Sequence, residues 1–423
     1  MVPPFVANVS IFLYTYNDTE LVFPLNSPGD DMIVQSLKPT VHRKFVLPLF
    51  LLLVSLLFSH YYAFGEEPTI RIGAILSETG HASYLGSVEK KTLLMAEKEI
   101  NGRGGIGGRE LEFVFLDNES DVILSTLVTE KLLGEDEILA IIGPPTSEQT
   151  LAVADLFERA QVPLISLAPS MKIVTPVRKW IFKSAPSMEH AIRRLLSYIK
   201  EFGIEQIGII TSKNGYGRTG KGLIYKVARE LGLRITGHVL ISQRDRNVTG
   251  KLETLMGTGP DGIVCWATGR IMASVARGRG ELEIEIPLYA GPLASTSSFM
   301  KQAGSASDGI ILSATGMEVP GGIQEGTPHN IAISRFNESY VRSFKKRPPP
   351  YAGRAWDAIL LLTRAIENTY GLSRAGIRMA LERIRDFPAT GGVYSFSPTD
   401  HDGLGISSYG LYQISVGSLK RIE

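Results

Sequence analysis

Cysteine is almost absent from this chain of 423 residues: Cys265 stands alone. No intramolecular disulfide can form, and no thiolate zinc site can be assembled. Histidine is sparse as well, seven scattered residues without a HExxH spacing, which removes a common signature of a catalytic metal. Charge of one sign is not in excess, with 44 Lys+Arg against 43 Asp+Glu. A nucleic-acid binder usually carries a strong basic surplus, so the balance argues against that class. A GxSxG elbow is missing, and no local order of serine, histidine and acid points to nucleophilic catalysis. Cys265 lies in the apolar run IVCW, the setting of an inert buried thiol. The acid pairs Asp30-Asp31 and Glu66-Glu67 fall outside the patterned regions and carry no catalytic argument. The balance of 44% hydrophobic and 21% charged residues is that of a globular protein, and at this length two domains are expected.

Long hydrophobic runs are also few. The longest spans Phe45 to Phe58, after His42, Arg43 and Lys44 and before a small-residue exit at Ala63-Phe64-Gly65. A basic flank, a short apolar stretch and such an exit form a secretory signal pattern. The run is shorter than the roughly 20 residues of a spanning helix and is interrupted by Pro48. No cysteine follows it to take a lipid. Signal peptides normally begin at their basic region, which points to Met32 as the start, with cleavage after Gly65. Residues 1–65 are therefore expected to concern export rather than fold.

From Thr69 the chain becomes regular. Apolar strand patterns (TIRIGAIL, LEFVFLD, ILAIIG, VPLISLA) alternate with amphipathic helix patterns such as SVEKKTLLMAEKEIN and SEQTLAVADLFERA. A second series starts after Ala185-Pro186-Ser187, with strands IEQIGIITS, LRITGHVLI, DGIVCWA and IEIPLYAG. Strands alternating with helices of about ten to fifteen residues imply parallel sheets covered on both faces. Past Gly316 a Gly/Pro-rich stretch leads to two long helices, and the C-terminus alternates like antiparallel strands around a turn. The expected class is α/β: two doubly wound, Rossmann-like lobes with a hinge.

Two glycine-rich stretches imitate nucleotide sites. In GRGGIGG, Gly102, Gly104 and Gly107 spell GxGxxG, but a helix precedes and a strand follows, the reverse of a dinucleotide fingerprint. The glycines are expected to end a helix and make a turn. In KNGYGRTGKG, Gly215, Gly217 and Gly220 lie between strand and helix and end in Lys221. A phosphate loop then needs Ser or Thr, and this chain has Gly222. The nearest acid for a ribose, Asp245, is too far along. The alternative is a loop that presents Tyr216 to a cleft. GPPTSEQT (Gly143–Thr150) is more informative. Thr146 or Ser147 can cap the following helix, and Thr146-x-x-Gln149 fits a capping box. The free N–H groups of that helix, with a hydroxyl, can also hold a carboxylate. One strand later SLAPS (Ser166–Ser170) offers a second hydroxyl turn at a strand end, where ligands bind in such sheets.

The blocks EINGRGGIGGRELEFVFLDNESD and IIGPPTSEQTLAVADLFERAQVPLISLAPS, the GYG loop and the late helix Ala355-Trp356-Asp357-Ala358 resemble the periplasmic leucine/isoleucine/valine-binding protein family. These are type I substrate-binding proteins of ABC importers, and the similarity covers nearly all of Thr69–Glu423. The resemblance implies two lobes joined by three crossovers, lobe 1 from 68–187 plus 318–390 and lobe 2 from 188–317 plus 391–423. It implies that Ser147 and Ser170 bond a ligand carboxylate, with backbone groups of Ala168. Tyr216 closes from the second lobe, Thr268 lines that lobe, and Tyr84 and Leu85 wall the side-chain pocket. It further implies a non-enzymatic monomer without cofactor or metal, located outside the cytoplasm, with a small carboxylate ligand and membrane permease subunits as partners. Amino-acid binders of the family place an acid after the strand that here ends LYAGPLAS; this chain has Leu293. An unpaired buried ammonium is costly, so either Glu148, Glu78 or Glu318 substitutes or the ligand has no amine. The absence at Leu293 favours an amine-free aromatic or aliphatic acid. Two other functions share the pattern: a ligand-binding sensor, and a nucleotide-dependent enzyme using Gly215–Lys221.

Overall fold

The computed structural model describes residues 69–423 apart from 246, 247 and 370. The expected signal segment and its cleavage site lie outside the described residues. The chain opens with β1 (Ile70–Leu76), α1 (Ser83–Asn101), β2 (Leu111–Asp117), α2 (Val122–Leu133), β3 (Ile138–Ile142), α3 (Ser147–Ala160), β4 (Leu164–Ser166) and β5 (Ile181–Lys183). These strands form a five-stranded sheet in the order β2-β1-β3-β4-β5, every pairing parallel. Next come α4 (Met188–Glu201), β6 (Gln206–Ser212), α5 (Gly215–Leu231), β7 (Arg234–Ile241), α6 (Val248–Met256), β8 (Gly262–Trp266), α7 (Gly269–Glu281), β9 (Leu288–Ala290), α8 (Ser297–Ala303) and β10 (Ile311–Ala314). The last part holds α9 (Pro328–Phe344), α10 (Ala352–Glu367), α11 (Arg374–Leu381), a short hairpin of β11 (Phe387–Pro388) and β12 (Val393–Tyr394), then β13 (Gly410–Ser415) and β14 (Ser418–Arg421). The second sheet has seven strands in the order β14-β13-β10-β9-β8-β6-β7, with β13 and β14 antiparallel at one edge.

The unbroken apolar strand runs follow from burial on both faces. Along β1, Ile70, Ile72, Ala74 and Leu76 enter one cluster while Ile75 enters another across the sheet. Along β8, Ile263 and Cys265 face one cluster, and Val264 and Trp266 the other. Successive side chains point to opposite faces, so a strand with helices on both sides must be apolar at every position. Each such side chain, fully buried, contributes about 1.5–3 kcal/mol from apolar burial. Burial also pushes the Cys265 thiol up to about 12, which leaves it protonated and unreactive.

The last helices return to the first sheet: Ile333, Phe336, Trp356, Leu362 and Ile377 share a cluster with β1 and β3. Tyr394, Phe396 and Leu404 belong to that same cluster, whereas Tyr409 and Leu411 pack with the second sheet. The chain therefore does not leave the first lobe at residue 391, as the resemblance implies. It leaves after Leu404, because the apolar residues of the hairpin and the following turn are buried against α10 and β5. Strands β5 and β10 of the two main sheets were not legible in the pattern. Three or four residues long, they include buried Lys183 and Ser313, which break an apolar run.

Among the described residues no helix is long and apolar enough to cross a membrane.

Candidate functional site

In the first sheet β1, β3 and β4 are neighbours, and their carboxyl ends carry three of the expected site segments. Thr146 caps α3, its hydroxyl accepting from Gln149 N at 3.4 Å. The reciprocal bond of a capping box does not form. The Gln149 amide instead donates to Ser77 Oγ at 3.1 Å and Asn118 Oδ1 at 3.3 Å, in a buried cluster that ties β1, β2 and α3 together. Thr146 thus takes the cap, and Ser147 at the first helical position keeps a half-buried hydroxyl with no hydrogen bond among the described residues. The first amides of a helix have no intrahelical acceptor, so this end presents N–H donors, a hydroxyl and the positive end of the helix dipole.

At the end of β4, Ser166 Oγ bonds Thr150 at 2.9 Å and accepts from Ala168 N at 3.2 Å. The Ala168 amide is therefore occupied within the lobe, and its carbonyl is the group left to offer. Ser170 Oγ accepts from Lys172 N at 3.3 Å, which leaves its O–H proton free to donate. After β1, Leu85 is buried yet belongs to none of the four apolar clusters. Tyr84 is 61% exposed and meets the edge of Tyr351 at 6.0 Å.

In the second sheet β6, β8, β9 and β10 lie side by side and parallel, so their following residues share one rim. Tyr216 sits in the first turn of α5, whose cap is Asn214, accepting from Gly217 N at 2.9 Å. Gly215–Lys221 is therefore helix rather than an open phosphate-binding loop. The glycine spacing has a packing cause: a Cβ on Gly217 would lie 1.9 Å from Ser212 O, and one on Gly220 would lie 2.1 Å from Trp266 Cδ1. Lys221 is exposed with its ammonium 5.8 Å from the Tyr225 ring. Close packing of α5 on Trp266 sets the Tyr216 ring 5.8 Å from the indole and nearly parallel to it. Burial is the main cause holding the Tyr216 phenol well above its usual range, with Glu318 next. Thr268 precedes α7 without capping it, and its buried Oγ1 has no partner among the described residues. Leu293 is half-buried in a 3-10 turn and packs on the second-sheet core.

Sequence reasoning named neither Arg354, Tyr351 nor Tyr409. Arg354, in the first turn of α10, donates from Nη1 to Leu167 O at 2.8 Å and lies 3.5 Å from Glu89. Glu89 is fully buried, and burial raises it to about 7 against the pull of Arg354. Tyr409 lies in the field of Glu318, Tyr216 and Arg354. These residues come from helix ends and crossovers, so no local motif announces them. Of the acids considered as amine partners, Glu78 is paired with Lys90 at 2.7 Å, Glu148 is exposed on α3, and Glu318 stands after β10. Among the described residues no cluster of His, Cys, Asp and Glu is placed to hold a metal ion.

Two wound sheets connected crosswise, each with an unpartnered hydroxyl at the carboxyl end of a strand (Ser147 after β3, Thr268 after β8), define a two-lobed α/β fold. Residues 69–418 match the family model for periplasmic binding proteins, and the chain belongs to that family. The leucine-, isoleucine-, valine-, threonine- and alanine-binding protein of Pseudomonas aeruginosa is 20% identical over 308 residues, covering 71% of this chain and 78% of that protein. Glutamate receptor 2.4 of Arabidopsis thaliana is 22% identical over 283 residues, which is 65% of this chain but 31% of the receptor. The chain thus spans about a third of that receptor. Among solved structures, an extracellular ligand-binding receptor from Rhodopseudomonas palustris HaA2 superimposes with a TM-score of 0.67 at 26% identity, covering 84% of this chain and all of that one. A leucine-binding protein from Thermotoga maritima gives a TM-score of 0.64 at 21% identity, covering 84% and 98%.

Proposed function

We propose that this chain is the extracytoplasmic solute-binding component of an ABC importer and captures a small carboxylate between its two lobes. The observation that carries this reading is a set of polar groups without protein partners at strand carboxyl ends of both sheets: Ser147 Oγ and the first amides of α3 after β3, and Thr268 Oγ1 after β8. The carboxylate lies on the α3 terminus, where N–H donors, Ser147 and the Ser170 hydroxyl give charge-assisted bonds. Tyr216 and Thr268 meet the ligand from the second lobe, and Tyr84, Leu85 and Leu293 shape its apolar surroundings. In this reading the chain crosses between the lobes near residues 187 and 318 and returns at residues 405–409. Ligand selects the closed state because only that state lets it touch both lobes. The closed form then docks on permease subunits as a monomer, with no cofactor and no catalytic residue.

A thermal-shift screen tests this. The panel holds leucine, phenylalanine and their amine-free counterparts, 4-methylpentanoate and 3-phenylpropanoate. A ligand at about 100 times its Kd stabilises the fold by about 2.7 kcal/mol. S147A should weaken every binder by about 1.5–3 kcal/mol, the value of a lost hydrogen bond to a charged group. Failure of all carboxylates to shift the melt overturns the reading. The likeness to a plant receptor favours a second reading, a sensor of the same fold; stimulation of a reconstituted permease by the loaded protein separates the two.

A further inference from the structure

Four parallel strand ends form the rim of the second lobe, and they carry Tyr216, Thr268, Leu293 and Glu318 in spatial order. The acid that the resemblance expects after β9 is therefore missing there but present one strand over, after β10. Its carboxylate is held in place. Oε2 accepts from Thr315 N at 2.8 Å and Thr315 Oγ1 at 3.1 Å, within one turn. Both donors are neutral. Among the described residues no Lys, Arg or His nitrogen lies within ion-pair distance of Glu318. The cation nearest in influence is Arg354, and it is already committed to Leu167 O at 2.8 Å, Tyr351 O at 3.2 Å and Glu89 at 3.5 Å.

Glu318 is thus a half-buried carboxylate without a counter-ion. Burial raises it, and its charge reaches the phenols of Tyr216 and Tyr409. A partly desolvated carboxylate held by neutral donors only is the chemistry that receives an organic cation, because the incoming ammonium supplies the missing counter-charge. Nothing comparable exists at the other two acids, one paired with Lys90 and one in solvent.

We propose that Glu318 is the counter-ion for a protonated amine of the ligand, so that the solute is a zwitterion held by its carboxylate at α3 and by its ammonium at the end of β10. This rests on the solute-binding reading above and reverses the preference for an amine-free acid drawn from Leu293.

The test is isothermal titration of the purified protein with two matched pairs, L-leucine against 4-methylpentanoate and L-phenylalanine against 3-phenylpropanoate. The wild type should bind the amine-bearing member of a pair about 10- to 100-fold tighter, the ratio given by one charge-assisted bond. In E318Q that preference should fall to within a few-fold, the loss falling on the amine-bearing member. E318D, which keeps the charge but withdraws it by one methylene, should retain part of the preference and serves if E318Q does not fold. An amine-free acid that binds as tightly as its partner in the wild type, or a preference that survives E318Q, overturns the assignment and leaves carboxylate capture standing. If no member of either pair binds, the assignment falls together with the reading it rests on.

Discussion

Asp357 offers a quantitative test of the packing inside the first lobe. It lies fully buried on α10 and accepts from Thr390 N at 2.8 Å, Gly391 N at 2.7 Å and Tyr394 Oη at 3.0 Å. The single Tyr394 hydroxyl proton is shared between Asp357 and Ser184 O, just past β5. One carboxylate therefore ties α10 to the hairpin and, through Tyr394, to the strand leaving β5. Burial raises its pKa to about 6, against the three donors that favour the charged form. An unfolded aspartate titrates near 3.9. Between about pH 4 and 6 the folded chain holds a proton that the unfolded chain has lost, so this group's contribution to stability falls as pH rises through that window. The window is roughly two pH units wide, at about 1.4 kcal/mol each, giving about 3 kcal/mol. D357N cannot titrate. It keeps one acceptor and turns an amide donor toward a backbone N–H, at a cost of about 2–4 kcal/mol at neutral pH for the unsatisfied pair. The advantage of the wild type over D357N, read from urea denaturation, should therefore widen by up to about 3 kcal/mol on going from pH 7 to pH 4. A difference that stays flat or narrows on acidification would show that the donors hold the carboxylate ionised despite its burial.

Other perturbations follow from the same packing. G220A pushes a methyl group into Trp266 and should cost about 1–3 kcal/mol by overpacking; it should also weaken ligand binding, since the indole supports Tyr216, and unchanged affinity would dissociate that stack from the site. Lys183 is fully buried and bonded to Asp402 and to Ala185 O at 2.7 Å, so K183M leaves a buried aspartate without its partner and should lower stability by about 3–5 kcal/mol in chemical denaturation. The double variant K183M/D402L should recover most of that loss, and no recovery would mean the pair is not the cause. Q149L removes the amide shared by Ser77 and Asn118 and should cost about 1–3 kcal/mol for the acceptors left buried, while the Thr146 cap on α3 survives it.

The sequence reveals those parts of the fold whose cause is local. Strands buried on both faces read as apolar runs, and the loops after β3, β4 and β6 carry their own capping chemistry, so Thr146, Ser147 and Tyr216 could be placed before any coordinates. Strand β5 was hidden because Lys183 is buried there, neutralised by Asp402 more than two hundred residues later. The late return crossing was hidden for a similar reason: Phe396 and Leu404 find their apolar partners on α10 and β5, not nearby in sequence. Arg354 gives no local signal either, since its partners Leu167 and Glu89 lie on other elements. The case of Glu318 shows how such blindness changes a functional conclusion. Aligned along the chain, Leu293 is a lost acid and the ligand loses its amine. Placed in the sheet, β9 and β10 are hydrogen-bonded neighbours, and a carboxylate at the end of either faces the same rim. If Glu318 takes the ligand's amine, as proposed, the counter-ion has moved one strand sideways without surrendering the ligand's charge, and strand order rather than alignment column tells where to look for it.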